Sequence, residues 1–84
     1  NENPPLQKET EGKETIKAPM QGLIVDVKVK AGQKVKTGDE IVILEAMKMM
    51  NEITADFDCE IEAVLVSNEQ KVEYGQPLFR VKKL

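Results

Sequence analysis

Histidine and tryptophan are absent from this chain, and cysteine occurs once, at Cys59. Without histidine, neither a His/Cys metal site nor Ser-His-Asp or Cys-His catalysis can be assembled, so no metal centre of the usual type and no catalytic residue are expected. A lone cysteine cannot close an internal disulfide, which agrees with a reducing, cytoplasmic setting. Aromatic residues make up only 4% of the 84, so the core has to be built from Val, Ile, Leu, Ala and Met. No apolar run approaches the ~20 residues of a membrane-spanning helix, and direct membrane insertion is not expected. The net charge of −3 supplies no basic excess to neutralise phosphates, which argues against nucleic acid as a partner. A chain of this length has room for one small domain and none for a deep substrate pocket. It opens on Asn1 rather than Met, as a processed chain or a segment of a longer protein does.

What is present falls into two textures. Residues 1–14 are polar, with Pro4-Pro5, Gly12 and four glutamates, and carry neither helical nor strand periodicity. They read as a flexible linker or arm that could span about 45 Å when extended. From residue 15 to 84 short β-type runs alternate with turn residues. Ile24 to Lys30 alternates, which puts Val25, Val27 and Val29 on one face. Ala31-Gly32-Gln33 marks a turn, Lys34-Val35-Lys36 a short strand, and Thr37-Gly38-Asp39 a second turn. Glu40 to Ala46 is a β-branched apolar run of strand length.

The second half repeats the first. A shift of 37 positions pairs Ala18 with Ala55, Ile24 with Ile61, Val27 with Val64 and Val29 with Val66. It also pairs Gln33-Lys34-Val35 with Gln70-Lys71-Val72 and Gly38 with Gly75, and no gap is needed. Turn and core positions keep register together, which marks a duplicated unit with halves over about 16–46 and 53–83. One copy alone would expose its apolar face. The expected fold is therefore all-β, a flattened antiparallel sandwich or barrel of about eight short strands with pseudo-twofold symmetry.

Met47-Lys48-Met49-Met50 lies at the joint between the copies. If Met47-Lys48 forms a two-residue hairpin turn, Ala46 faces Met49 and Lys48 stands at the tip. Such turns prefer Gly or Asn, because they need positive φ, and neither is present. Residues that break a local folding rule suggest selection for something else. Met50 is assigned to packing, while Met47 and Met49 flank a turn and at least one should stay near the surface. Met is soft and adaptable, and suits contact with several partners. Lys28, Lys30, Lys34 and Lys36 fit the solvent faces of strands, with a docking patch for an acidic partner as the other reading. Asp26, Asp58, Glu60 and Glu62 are read as solubilising.

The stretch Glu45-Ala46-Met47-Lys48-Met49 after an apolar strand resembles the biotinyl domain of biotin carboxyl carrier proteins. Ala18-Pro19-Met20, Gly22, Gly32, Val35 and Gly38 in the first half match the same pattern, as do Val72, Gly75, Gln76 and Leu78 in the second. The likeness extends from about Ile16 to Val81. It implies the biotinyl/lipoyl-type barrel-sandwich hybrid, with biotin attached covalently to Lys48 by a biotin protein ligase using ATP. It further implies that Glu45, Ala46, Met47 and Met49 serve ligase or partner recognition. The carried carboxyl group would pass between biotin carboxylase and a carboxyltransferase or decarboxylase, the chain itself being a carrier rather than an enzyme. Ile24 to Val35 is no longer than Ile61 to Val72, so the protruding thumb of some acetyl-CoA carboxylase carriers is missing. That leans towards the thumbless carriers of other carboxylases, transcarboxylases and decarboxylases.

Two positions depart from the family pattern. Asp58-Cys59 stands where a glycine is usual, and Glu69 where the repeat of Gly32 calls for one; Asp58 or Asn68 could adopt positive φ instead. Cys59 reads as a small, partly buried residue. Two alternatives remain open at this point: a lipoyl domain, whose tip typically reads Asp-Lys-Ala, and an unmodified β-module used only for assembly.

Overall fold

The computed structural model describes residues 14–84, so all but the last residue of the segment read as an arm lies outside the described residues. Eight strands follow: β1 (Glu14–Lys17), β2 (Gly22–Val27), β3 (Lys34–Val35), β4 (Glu40–Ala46), β5 (Met49–Thr54), β6 (Cys59–Val64), β7 (Lys71–Val72) and β8 (Pro77–Lys83). They form two four-stranded antiparallel sheets, ordered β1-β8-β6-β3 and β5-β4-β2-β7. We call these the β8 sheet and the β4 sheet.

The shift of 37 holds in three dimensions. β2, β3 and β4 carry residue for residue onto β6, β7 and β8. The core consists of matched pairs: Ala18/Ala55, Ile24/Ile61, Val29/Val66, Val35/Val72, Ile41/Leu78, Val42/Phe79 and Leu44/Val81 are all buried. The loops match too. Ile24 N–H donates to Gln70 O at 2.8 Å, and Ile61 N–H donates to Gln33 O at 2.8 Å. Gln33 and Gln70 each accept, through Oε1, from the backbone N–H three residues earlier, which closes both turns in the same way.

Each sheet draws strands from both halves, since β6 and β8 sit between β1 and β3, and β2 and β4 between β5 and β7. Neither half can therefore complete a sheet alone, and the apolar faces meet as the two sheets close. Burial of each large aliphatic side chain contributes about 1.5–3 kcal/mol, and regular pairing lets a small domain collect many such terms.

Several expectations change. The alternation that places Val25, Val27 and Val29 on one face fails, because the β2–β4 register shifts between Ile24 and Asp26. This bulge inserts a residue, so Ile24 is buried while Val25 turns half outward. Its mate lies between Ile61 and Ala63 in β6. Glu69 itself takes positive φ (72°), not Asn68 or Asp58. Asn68 instead accepts a hydrogen bond from Val27 N–H at 2.9 Å, and Asp58 accepts from Thr37 N–H and Oγ1–H at 2.9 and 3.0 Å. Those two donors hold the Asp58 carboxyl below its ordinary range. Cys59 is wholly buried rather than partly so. Burial, with the charge of Asp58 next to it, pushes its thiol pKa up and leaves it a small apolar core residue.

Candidate functional site: the β4–β5 hairpin

β4 and β5 are the longest-paired neighbours of their sheet, in register from Glu40↔Thr54 to Ala46↔Met49. Apolar β-branched residues dominate β4, and its inward positions Val42 and Leu44 are fully buried, so the stem is anchored in the core. Two residues remain to reverse the chain. Met47 (φ 53°) and Lys48 (φ 65°) both take positive φ, the pattern of a type I′ turn. Neither is a residue that adopts this region readily, and each costs about 1 kcal/mol or more there. The ladder beneath offsets that cost.

A side chain reinforces the stem. Asn51 Nδ2 donates to Leu44 O at 3.2 Å and to Met49 O at 3.1 Å, tying both strands together below the turn. Sequence reasoning missed Asn51; the available signal was a polar residue on the inward side of a strand, opposite the core residue Leu44. Gly22, matched in sequence but unexplained there, gains a reason. β2 runs so close to β4 that a Cβ on Gly22 would collide with the Glu45 carbonyl oxygen. Only glycine allows β2 to brace the base of the hairpin at this point.

The site residues expected from the sequence come together at one end of the molecule. Lys48 is exposed at the tip, and among the described residues no carboxylate pairs with it. Met47 is 93% exposed and Met49 65%, so both flank the lysine in solvent. Glu45 and Ala46 are half-buried in the last turn-ward residues of β4. Met50 is not a packing residue: it is 62% exposed, because β5 is an edge strand and Met50, opposite Glu45, faces outward. An open groove beside the hairpin is lined by Gly22, Leu23, Glu45, Ala46, Lys71 and Glu73. It brings no set of three or more potential metal ligands together, nor does any other part of the described residues. No helix among those residues is long and apolar enough to cross a membrane.

This geometry makes a protruding primary amine on a stiff stem, reachable from most sides. The family described as "Biotin-requiring enzyme", the biotin/lipoyl family, matches residues 14–81. The chain is 55% identical over 53 residues to the biotin carboxyl carrier protein of acetyl-CoA carboxylase from Pseudomonas aeruginosa, covering 63% of this chain and 34% of that protein. It is 58% identical over 50 residues to the methylmalonyl-CoA decarboxylase subunit gamma of Veillonella parvula, covering 60% of this chain and 39% of that subunit. The chain thus spans about a third of the length of these curated relatives. Its fold is also that of the lipoyl domain of the 2-oxoglutarate dehydrogenase complex from Azotobacter vinelandii, with TM-score 0.71 and 27% identity over 82% of this chain and 95% of that one.

Proposed function

The chain belongs to the biotin/lipoyl family of biotin-requiring enzymes, and from that premise we propose that it is a carboxyl carrier bearing biotin on Lys48. The observation that supports this most is the turn itself. Two non-glycine residues hold positive φ at the tip, where a lysine that no described carboxylate pairs with stands between two exposed methionines. Strain kept at an exposed tip is a cost to folding without a structural return, which suits a residue selected for an encounter with another protein.

The residues present fit the attached group. Lys48 would hold the group through an amide to its side-chain nitrogen, the bond being made by a ligase. When bound, biotin supplies the ureido ring that takes up and gives up the carboxyl group. The chain's own part is mechanical. The β4 ladder and Asn51 keep the stem straight, Gly22 keeps β2 against it, and Glu45, Ala46, Met47 and Met49 form the surface that a ligase or carboxylase meets. On the same reading residues 1–14 serve as a tether, 15–84 as the carrier domain, and the partners are a biotin carboxylase and a carboxyltransferase or decarboxylase in the cytoplasm.

A lipoyl group is the second reading, favoured by the shared fold. Met47 and Met49 beside the lysine argue for biotin instead. The test is incubation of the chain with biotin, ATP and a purified biotin protein ligase, followed by intact-mass measurement. Addition of one biotin to the native chain is expected, with none on Lys48→Ala or Lys48→Arg and unchanged melting of both variants. A lipoyl adduct from a host containing both ligases would overturn the biotin assignment, and unfolding of Lys48→Ala would overturn the carrier role.

A further inference from the structure

The two sheets share strand order and pairing under the repeat but have unlike outer faces. On the β4 sheet the outward positions run Lys71–Leu23–Glu45–Met50 in one row and Val25/Asp26–Ile43–Glu52 in the next. The matching rows of the β8 sheet read Lys34–Glu60–Lys82 and Glu62/Ala63–Arg80–Thr15. At equal positions of the repeat, Leu23 becomes Glu60, Val25 becomes Glu62 and Ile43 becomes Arg80. Leu23, Val25 and Ile43 are half-exposed and belong neither to the core nor to the side chains packed against it. Met50 extends the apolar surface to within two residues of Lys48.

We propose that the outer face of the β4 sheet, centred on Leu23, Val25, Ile43 and Met50, is the surface on which the ligase that acylates Lys48 docks. This rests on the biotin reading above. The fold itself shows that charged residues are compatible with these positions, since the other sheet carries them, so the apolar choice is not a folding requirement. The face is continuous with the hairpin through Glu45 and Met50. An unmodified lysine has only a four-carbon stem, so an enzyme that reaches its nitrogen has to lie against the surface from which the hairpin rises. The rim is acidic: Asp26, Glu40, Glu45 and Glu52 outnumber Lys28 and Lys71, and Lys28 is already 3.3 Å from Asp26. Glu40 and Glu52 share a hydrogen bond that raises the Glu40 pKa, as crowded carboxyls do. The complementary partner surface is apolar with a basic border.

The test transfers the residues of one sheet to the other in the 84-residue chain. Leu23→Glu, Val25→Glu and Ile43→Arg, combined, should raise the KM of the ligase for the chain about tenfold or more with little change in kcat. The variant's melting should stay cooperative. Glu60→Ala with Lys82→Ala on the β8 sheet should leave KM within about twofold, since exposed positions outside an interface contribute little. A triple variant modified with native KM overturns the proposal. So does a native chain that sediments as a dimer while the triple variant is a monomer of native KM, because the face would then join two copies. A native chain that accepts no biotin sinks the carrier reading itself, and is told apart from the first result because both chains then fail.

Discussion

Ile24 and Ile61, one repeat apart, bury the same side chain to the same depth; Leu23 and Glu60, their immediate neighbours, face solvent with opposite chemistry. The inner positions of the two halves pack against one another, so a change in either has to suit both, and the pairs stay apolar though not always equal in size, as Val42 and Phe79 show. The outer positions answer only to whatever approaches from outside. At two places where the halves differ, Gly22/Cys59 and Gly32/Glu69, a local reason can be found. Cys59 tolerates a side chain where Gly22, pressed on the Glu45 carbonyl, does not. Glu69 holds at 72° the conformation that Gly32 adopts at 92°.

Substitutions at matched positions test how far the two halves are equivalent. The largest effect belongs to the core. Ile24→Ala and Ile61→Ala should each cost about 2–5 kcal/mol in urea unfolding, because each leaves a cavity in a fully buried cluster. The two values should agree within about 1 kcal/mol; a wider gap would mean that the halves are alike in shape but not in packing. The turns come next. Gly32→Ala should destabilise by about 1 kcal/mol, since its φ disfavours a side chain although open space surrounds it. Glu69→Gly should stabilise by about 0.5–1 kcal/mol, as relief of the positive φ exceeds the added chain entropy. Equal signs for the two substitutions would contradict the reading of Glu69 as the strained member of the pair.

The smallest effect is one of pH. Asp58 is hydrogen-bonded to Thr37, while their repeat mates Gln21 and Tyr74 form no such pair. Because the folded pKa of Asp58 lies below its unfolded value, the stability it contributes is present above the ordinary carboxylate pKa. That contribution is lost as pH falls through the lowered, folded value. Asp58→Asn should flatten the acid side of a Tm-against-pH curve, and an unaltered slope would show that the Thr37 hydrogen bonds carry no linkage.

Much of the molecule can be read from the sequence, because its core positions are periodic. The bounds Glu40 to Ala46, the turn at Met47-Lys48 and the Ala46–Met49 pairing follow from β-branched runs and from the repeat. Departures arise where long-range structure intervenes. The bulge after Ile24 shifts register without any turn residue to announce it. Met50 looks like core filler until β5 is known to be an edge strand. The exchange of strands between halves depends on which edges meet, and no local pattern encodes that. Asn51 and Gly22 act through backbone atoms of a neighbouring strand, which a linear reading cannot see.

The pairing of β1 with β8 has a further consequence. It is the repeat mate of the β4–β5 pairing, at the opposite pole of the molecule. There the two strands are the first and the last of the described residues, and no turn among those residues joins them. Among the described residues the twofold body thus has two equivalent poles but one closed hairpin. If Lys48 carries biotin, the stoichiometry is fixed by topology at one arm per domain, and an assembly that needs more arms has to recruit more carriers.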